Sequence, residues 1–311
     1  MLICSDNHLP MNILDELKSR ILLSDGAWGT FLQAKGLQPG ECPEMWNLSH
    51  RNEVLDIARS YVAAGSDIIE TNSFGSSGIK LATYGLKEKA SEINRSAAEI
   101  SREAAGKNVH VAGSVGPTGK MLIMGDITEE ELYDTFREQS AALEKGGADI
   151  IIIETMSAVD EAAIAVKAAR ENTSCTVIVT MTFSLTPRGE YRTMMGVSPE
   201  EMTISMKEAG AHIVGSNCGN GVAQMIGIVK AIRAVDSKIP VIIQANAGLP
   251  EYIDGKTLYR ESPEIMASYV DELIKAGANI IGGCCGTTPA HIKAISQKLA
   301  PKSPKGDLKF L

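Results

Sequence analysis

One pattern recurs four times along the 311 residues and leaves few folds open. The segments are AGSDIIETNS from Ala64, GGADIIIIET from Gly146, AGAHIVGSNC from Ala209 and AGANIIGGCC from Ala276. Each opens on the small residues and glycine that end a helix, turns tightly, and enters an apolar run. The runs are short, rich in Ile and Val, and apolar on both faces, as buried parallel strands are. Further runs of this kind complete a set of strands expected at 21–24, 67–71, 109–114, 149–154, 176–181, 212–216, 241–245 and 279–283. Helical stretches separate them. Eight strands alternating with helices predict α/β architecture of one type, a single-domain (β/α)8 or TIM barrel, which holds a chain of this length as one unit.

Local signals agree with that count. Ser49 precedes an amphipathic stretch running to Ala64, and Thr128 with Glu131 spells a capping box. Ser198-Pro199, Ser262-Pro263 and Thr288-Pro289 each set a capping hydroxyl before a proline at the first helical position. Gly65, Gly147, Gly210 and Gly277 mark helix ends. Residues 1–20 are expected to form a helical extension outside the barrel, 21–300 the barrel, and 301–311 a short tail rich in Pro, Lys and Gly.

Composition excludes several classes. Thirty basic against 38 acidic residues give a formal charge of −8, which argues against a nucleic-acid surface. No window approaches the roughly 18 apolar residues of a membrane span. The opening residues meet acid at Asp6 and show no signal peptide, so a cytoplasmic location is expected. Six cysteines, two of them adjacent, suit reduced thiols or metal ligands better than a disulfide scaffold.

Chemistry concentrates where the apolar runs stop. Seven residues after each repeat glycine stand Asn72, Glu154, Asn217 and Cys284; the next residues are Ser73, Thr155, Cys218 and Cys285. These fall at the carboxyl ends of strands two, four, six and eight, the face of a barrel that carries function. Cys218, Cys284 and Cys285 can therefore converge, and zinc favours such sulfur ligands, a three-ligand site leaving one position open. Gly282, Gly283 and Gly286 are expected to free the backbone so that adjacent cysteines face one point. Cys4, Cys42 and Cys175 read as small buried hydrophobes.

Other strand ends add polar groups. Asp25 lies in a turn with Gly26, Ala27 and Gly29, whose backbone N–H groups could hold a carboxylate, while Asp25 could accept from an ammonium or cap a helix. Glu154 follows four isoleucines and needs a cationic partner, either a substrate ammonium or an internal salt bridge. Asn72, Asn217 and Asn246 either hydrogen-bond the site or shape loops. His212 and His291 are placed for structural roles. The turn from Gly282 to Thr288 could instead cradle a phosphate, as in a barrel lyase, but that leaves Cys218 without a purpose.

These residues are similar to the motifs of the homocysteine S-methyltransferase family. The matching elements are Asp25-Gly26-Ala27-Trp28-Gly29-Thr30, Glu70-Thr71-Asn72-Ser73-Phe74, Gly113-Ser114-Val115-Gly116-Pro117, Glu154-Thr155, Asn217-Cys218-Gly219 and Gly282-Gly283-Cys284-Cys285-Gly286. Asn246-Ala247-Gly248-Leu249-Pro250 looks most like the homocysteine-binding domain of cobalamin-dependent methionine synthase. The resemblance implies a zinc ion held by Cys218, Cys284 and Cys285, with Asn246 near the metal when substrate is absent. It implies that Asp25 and Glu154 receive the substrate amino group and that the backbone of Gly26 and Ala27 takes its carboxylate. The implied reaction converts homocysteine to methionine. The chain ends at Leu311, before the folate, cobalamin and reactivation regions of such synthases, so the expected donor is a methylcobalamin-type group on a separate corrinoid protein. The alternatives are a small donor (S-methylmethionine, S-adenosylmethionine or a betaine-type compound), a piece of a longer enzyme, and a non-catalytic homocysteine-binding subunit.

Overall fold

The structure is a computed structural model and describes residues 12–253 and 256–300. Its centre is a ring of eight parallel strands: β1 (Leu22–Leu23), β2 (Ile68–Glu70), β3 (His110–Val115), β4 (Ile150–Met156), β5 (Thr176–Met181), β6 (Ile213–Asn217), β7 (Val241–Ala245) and β8 (Ile280–Gly283). Neighbours pair in parallel throughout, β1 pairing with β8. A parallel bridge from Ser24 to Ile68 joins β1 to β2 and closes the ring. The expected TIM barrel is the fold observed.

Strand alternation divides each strand's residues between two environments. Leu23, Ile69, Val111, Ile151, Val177, Val214, Ile243 and Ile281 face outward and pack against the surrounding helices. Leu22, Ile68, Ala112, Ile150, Ile152, Ile178, Ile213, Ile242 and Ile280 face inward and fill the axis as one apolar cluster. Two residues beyond members of that cluster, the same inward face carries Ser24, Glu70, Ser114, Glu154, Thr180 and Gln244, all buried. The interior is thus apolar below and polar above.

Local signals set the helices. Thr128 and Ser198 open capping boxes with Glu131 and Glu201. Ser262 accepts from Ile265 N–H, and His291 Nδ1 accepts from the Thr288 N–H at 3.1 Å. Gly65, Gly147, Gly210 and Gly277 adopt φ of 102, 104, 102 and 114°, a left-handed turn that a β-carbon disfavours. Ser49 departs from expectation. It ends a short helix, Trp46–Ser49, and its hydroxyl donates back to Met45 O at 3.2 Å. The long helix Arg51–Ala64 starts after His50 without a capping hydroxyl.

The chain's start also departs. Within the described part, helix Ile13–Glu16 does not stand outside the barrel. Ile13 and Leu17 join the inward apolar cluster and cover its lower mouth. The reason is burial: an open lower mouth would leave the isoleucine tier in water. Glu16 anchors the cover, meeting Arg20 at 2.5 Å and lying 2.8 Å from His110 Nε2, while Arg20 also pairs with Asp67 at 2.7 Å. Residues 1–11 and the expected tail lie outside the described residues. No helix among the described residues is long and apolar enough to cross a membrane.

Candidate active site

Three sulfurs meet at the upper mouth. β6 ends at Asn217, and Cys218 then turns with φ of 58°, a left-handed conformation that few non-glycine residues adopt. Thr155 occupies the same repeat position after β4 and has φ of 60°. β8 ends at Gly283, so Cys284 and Cys285 lie in a turn rather than on opposite faces of a strand. Cys218 Sγ lies 3.9 Å from Cys285 Sγ, and the three thiols lie within 4.8 Å of one another. Tetrahedral zinc with Zn–S bonds of about 2.3 Å sets sulfurs about 3.8 Å apart, so the trio fits such an ion.

The glycines beside the pair serve two purposes. Gly286 does need its φ of 79°. Gly283 needs space instead: a β-carbon there would lie 2.4 Å from Thr287 Oγ1. The trio also shares protons. Hydrogen bonds from Cys284 and Cys285 hold the Cys218 thiol far below its ordinary range, and the same contacts push Cys284 and Cys285 up. Cys42 and Cys175 are buried elsewhere, and burial pushes them up to about 11 and about 12. Cys4 lies outside the described residues.

Three buried carboxyls lie below the sulfurs. Asp25 Oδ2 accepts from Trp28 Nε1 at 2.9 Å and from the Glu70 N–H at 2.8 Å. Glu70 Oε1 accepts from Gln244 Nε2 at 2.6 Å. Glu154 accepts from Ser114 Oγ at 2.5 Å and Asn217 Nδ2 at 2.9 Å. All these donors are neutral. Burial accordingly pushes all three carboxyls up, Asp25 to about 7, and mutual repulsion adds to the rise at Asp25 and Glu70.

A cavity of about 250 Å³ joins the two groups. Of the residues expected at the site, Gly26, Ala27, Asn72, Ser73, Glu154, Cys218, Cys284 and Cys285 line it. Asp25, Asn217 and Asn246 do not. Asn217 is occupied internally: its Oδ1 accepts from Thr155 N–H at 2.9 Å and Thr180 Oγ1 at 2.8 Å, and its Nδ2 holds Glu154. It therefore fixes the turns after β4 and β6. Asn72 Nδ2 donates to Pro43 O at 2.8 Å, pinning the 42–47 segment over the cavity. The Ala27 N–H is engaged by Thr287 Oγ1 at 3.1 Å. Asn246 hydrogen-bonds Cys218, and its buried Oδ1 has no partner among the described residues.

Sequence reasoning gave no site role to Trp28 and Glu70, quoted only within motifs, and none to Glu44 and Gln244; all four line the cavity. Counting by twos from Ile68 and Ile242 would have placed Glu70 and Gln244 inward. A larger cleft of about 820 Å³ lies outside the barrel among Lys87, Asp126, Glu131, Arg137 and Lys145. It gathers both signs of charge and none of the thiols.

A closed barrel whose strand ends set three thiols above buried carboxyls defines a class of TIM-barrel protein with a candidate metal centre at the upper mouth. The model of the homocysteine S-methyltransferase family matches residues 22–299, and the chain belongs to that family. A methionine synthase of Mycobacterium tuberculosis is 28% identical over 95% of this chain, which spans 26% of that relative's length. Among solved structures, the homocysteine methyltransferase MmuM of Escherichia coli in its metallated form superposes with a TM-score of 0.74 at 22% identity, covering 92% of this chain and 98% of that one. The carboxyl transferase domain of Rhizobium etli pyruvate carboxylase shares the barrel at a TM-score of 0.54 and 16% identity, over 96% of this chain and 52% of that one.

Proposed function

We propose that this protein transfers a methyl group to homocysteine, forming methionine, with zinc held by Cys218, Cys284 and Cys285 and the methyl group carried by a corrinoid on a separate protein. The observation that carries the reading is the contact of three sulfurs from two distant stretches at the cavity wall. Zinc held there supplies one thing, a substrate thiol kept deprotonated at neutral pH and so nucleophilic. The unpartnered Asn246 Oδ1 fits a group that approaches the same ion.

The chain's own residues do the rest. Left-handed turns at Thr155 and Cys218, locked by Asn217, aim one thiol at the other two. Glu154, lining the cavity, offers a carboxylate to the substrate ammonium. Gly26 presents backbone to the substrate carboxylate, while the Ala27 N–H stays with Thr287 Oγ1. Trp28, Leu32 and Pro43 line the wall with apolar surface that excludes water.

A protein-borne donor is supported by the rim. Phe74, Met121, Ile123, Met124, Leu185, Met194, Leu249 and Tyr252 stand exposed on loops that follow β2, β3, β5 and β7. Exposed apolar surface around a site mouth is the mark of a partner surface. Barrel residues 21–300 form the catalytic unit in this reading, and its free thiols suit the cytoplasm.

The test is a donor screen with zinc-loaded protein and homocysteine, with methionine measured by mass spectrometry. Methylated corrinoid protein should outperform free methylcobalamin, methyl-folate and S-methylmethionine by at least tenfold. Equal turnover with S-methylmethionine would overturn the donor, and no methionine from any donor would overturn the reaction.

A further inference from the structure

We infer that Tyr259 is a positioning residue for the three-sulfur centre: its phenol O–H donates to Cys285 Sγ, holds that sulfur in place and damps it as a nucleophile, so that a methyl group goes to the substrate sulfur rather than to the protein. The inference rests on the zinc and homocysteine reading above and deepens it. A methyltransferase that holds zinc on three thiolates faces a problem of choice. Its own sulfurs line the same cavity that takes the substrate, and a thiolate is a nucleophile whichever molecule bears it.

The loop after β7 meets that problem at Cys285. An antiparallel hairpin pairs Glu251–Ile253 with Lys256–Leu258, and its return strand delivers Tyr259. Packing sets the ring against the cysteine turn: a β-carbon on Gly286 would lie 2.2 Å from Tyr259 Cγ and 2.5 Å from its Cδ2. Hydrogen bonds fix the loop on either side of the ring. The Ala247 N–H donates to Cys285 O at 3.0 Å, the Glu261 N–H to Ala247 O at 2.9 Å, and the Val222 N–H to Glu261 Oε2 at 3.3 Å. From this position the Tyr259 side chain hydrogen-bonds Cys285. A phenol ionises near about 10, so at neutral pH it is the donor and the sulfur the acceptor. The other two sulfurs have donors as well. Cys218 accepts from the Gly219 N–H and from Asn246, and Cys284 from Asn217 Nδ2 at 4.0 Å. A donor on a thiolate forms a charge-assisted bond and draws electron density from the sulfur. A fourth sulfur in the cavity meets the apolar wall of Trp28, Leu32 and Pro43 instead, and the Trp28 indole N–H is spent on Asp25. The protein thus damps its own thiolates and leaves the ligand's sulfur the most nucleophilic.

The test is methylation of the protein itself. Zinc-loaded protein, with zinc in excess and homocysteine absent, is treated with methyl iodide. A cysteine sulfur bonds the methyl carbon as iodide leaves with its electron pair, and peptide mass spectrometry reads which cysteine carries the methyl group. Tyr259→Phe, which keeps the ring on Gly286 and removes one oxygen, should raise the rate at Cys285 at least fivefold while Cys218 holds within about twofold. Tyr259→Leu should raise it too and serves should Tyr259→Phe fail to fold. In cobalt-substituted protein, Tyr259→Phe should move the sulfur-to-metal charge-transfer band to longer wavelength, because losing the hydrogen bond raises the sulfur lone pair in energy; a ring that only packs would leave the band in place. An unchanged Cys285 rate in Tyr259→Phe, or in Tyr259→Leu should Tyr259→Phe not fold, overturns the inference, as does an equal rise at all three cysteines. A wild type that holds no zinc overturns the metal reading and this inference together, whereas bound zinc with an unchanged Cys285 rate overturns this inference alone.

Discussion

The lower and upper halves of the barrel interior are built from the same strands by the same alternation, yet they are opposites. Below, Ile68, Ile152, Ile178, Ile213, Ile242 and Ile280 pack in a dry cluster sealed by Ile13 and Leu17. Above, two residues along the same faces, Glu70, Ser114, Glu154, Thr180 and Gln244 are also buried but polar, and two of them are carboxyls whose hydrogen-bond partners among the described residues include no cation. A fully buried isoleucine contributes about 1.5–3 kcal/mol to stability. A buried charge without a partner subtracts from it. The lower half therefore supplies the stability that lets the upper half keep groups poised for a ligand, a division that the barrel architecture permits because its two ends are separate surfaces.

The largest effect that would sharpen this contrast is on the thiols. Cys284→Ala should lower bound zinc, measured by atomic absorption, to near zero. Turnover should fall by more than about 100-fold, since even residues that only support metal ligands cost 10- to 100-fold. Melting should move little, because the lower half is intact. Full metal content in this variant would remove the thiols from the site.

Next in size is the reverse experiment below. Ile152 is inward and buried, and Ile152→Ala should cost about 2–5 kcal/mol in urea unfolding. Homocysteine affinity should stay within about twofold. A large loss of affinity at wild-type stability would break the division of labour.

The smallest effect is a pH dependence. Asp25 ionises near 3.8 in an unfolded chain and is pushed to about 7 in the folded one. Between those values the folded state binds the extra proton, so stability from this group is full at low pH and is lost as pH rises toward 7. Glu70 and Glu154 slope the same way. Melting temperature of metal-free, ligand-free protein should therefore fall from about pH 5 to 7.5, and Asp25→Asn should flatten the slope in part. An unchanged slope in that variant would remove Asp25 as a source.

Much of the fold is visible in the linear chain because its rules are local. A glycine that ends a helix, an apolar run of fixed length and a capping hydroxyl each act within a few residues. The observed strand cores therefore lie within a residue or two of the expected ones, and Cys218, Cys284 and Cys285 fall at strand ends as the repeat predicts. Local rules fail where a residue has a second local use: Ser49 bonds backward to Met45 instead of capping the next helix.

What the chain determined by itself was the alternation, the inward face of each strand and the chemical type at each strand end. Tertiary structure alone decided which inward groups open onto the cavity. Asp25 and Glu70 are both buried acids at strand ends, but the Trp28 indole covers the first and the cavity reaches the second. Asn217 looks like a ligand group in sequence and becomes a brace because Thr155 and Thr180, distant in the chain, arrive beside it. Ile13 and Leu17 become the barrel's floor for the same reason. Periodicity states which side a residue faces; only packing between remote segments determines what it meets there.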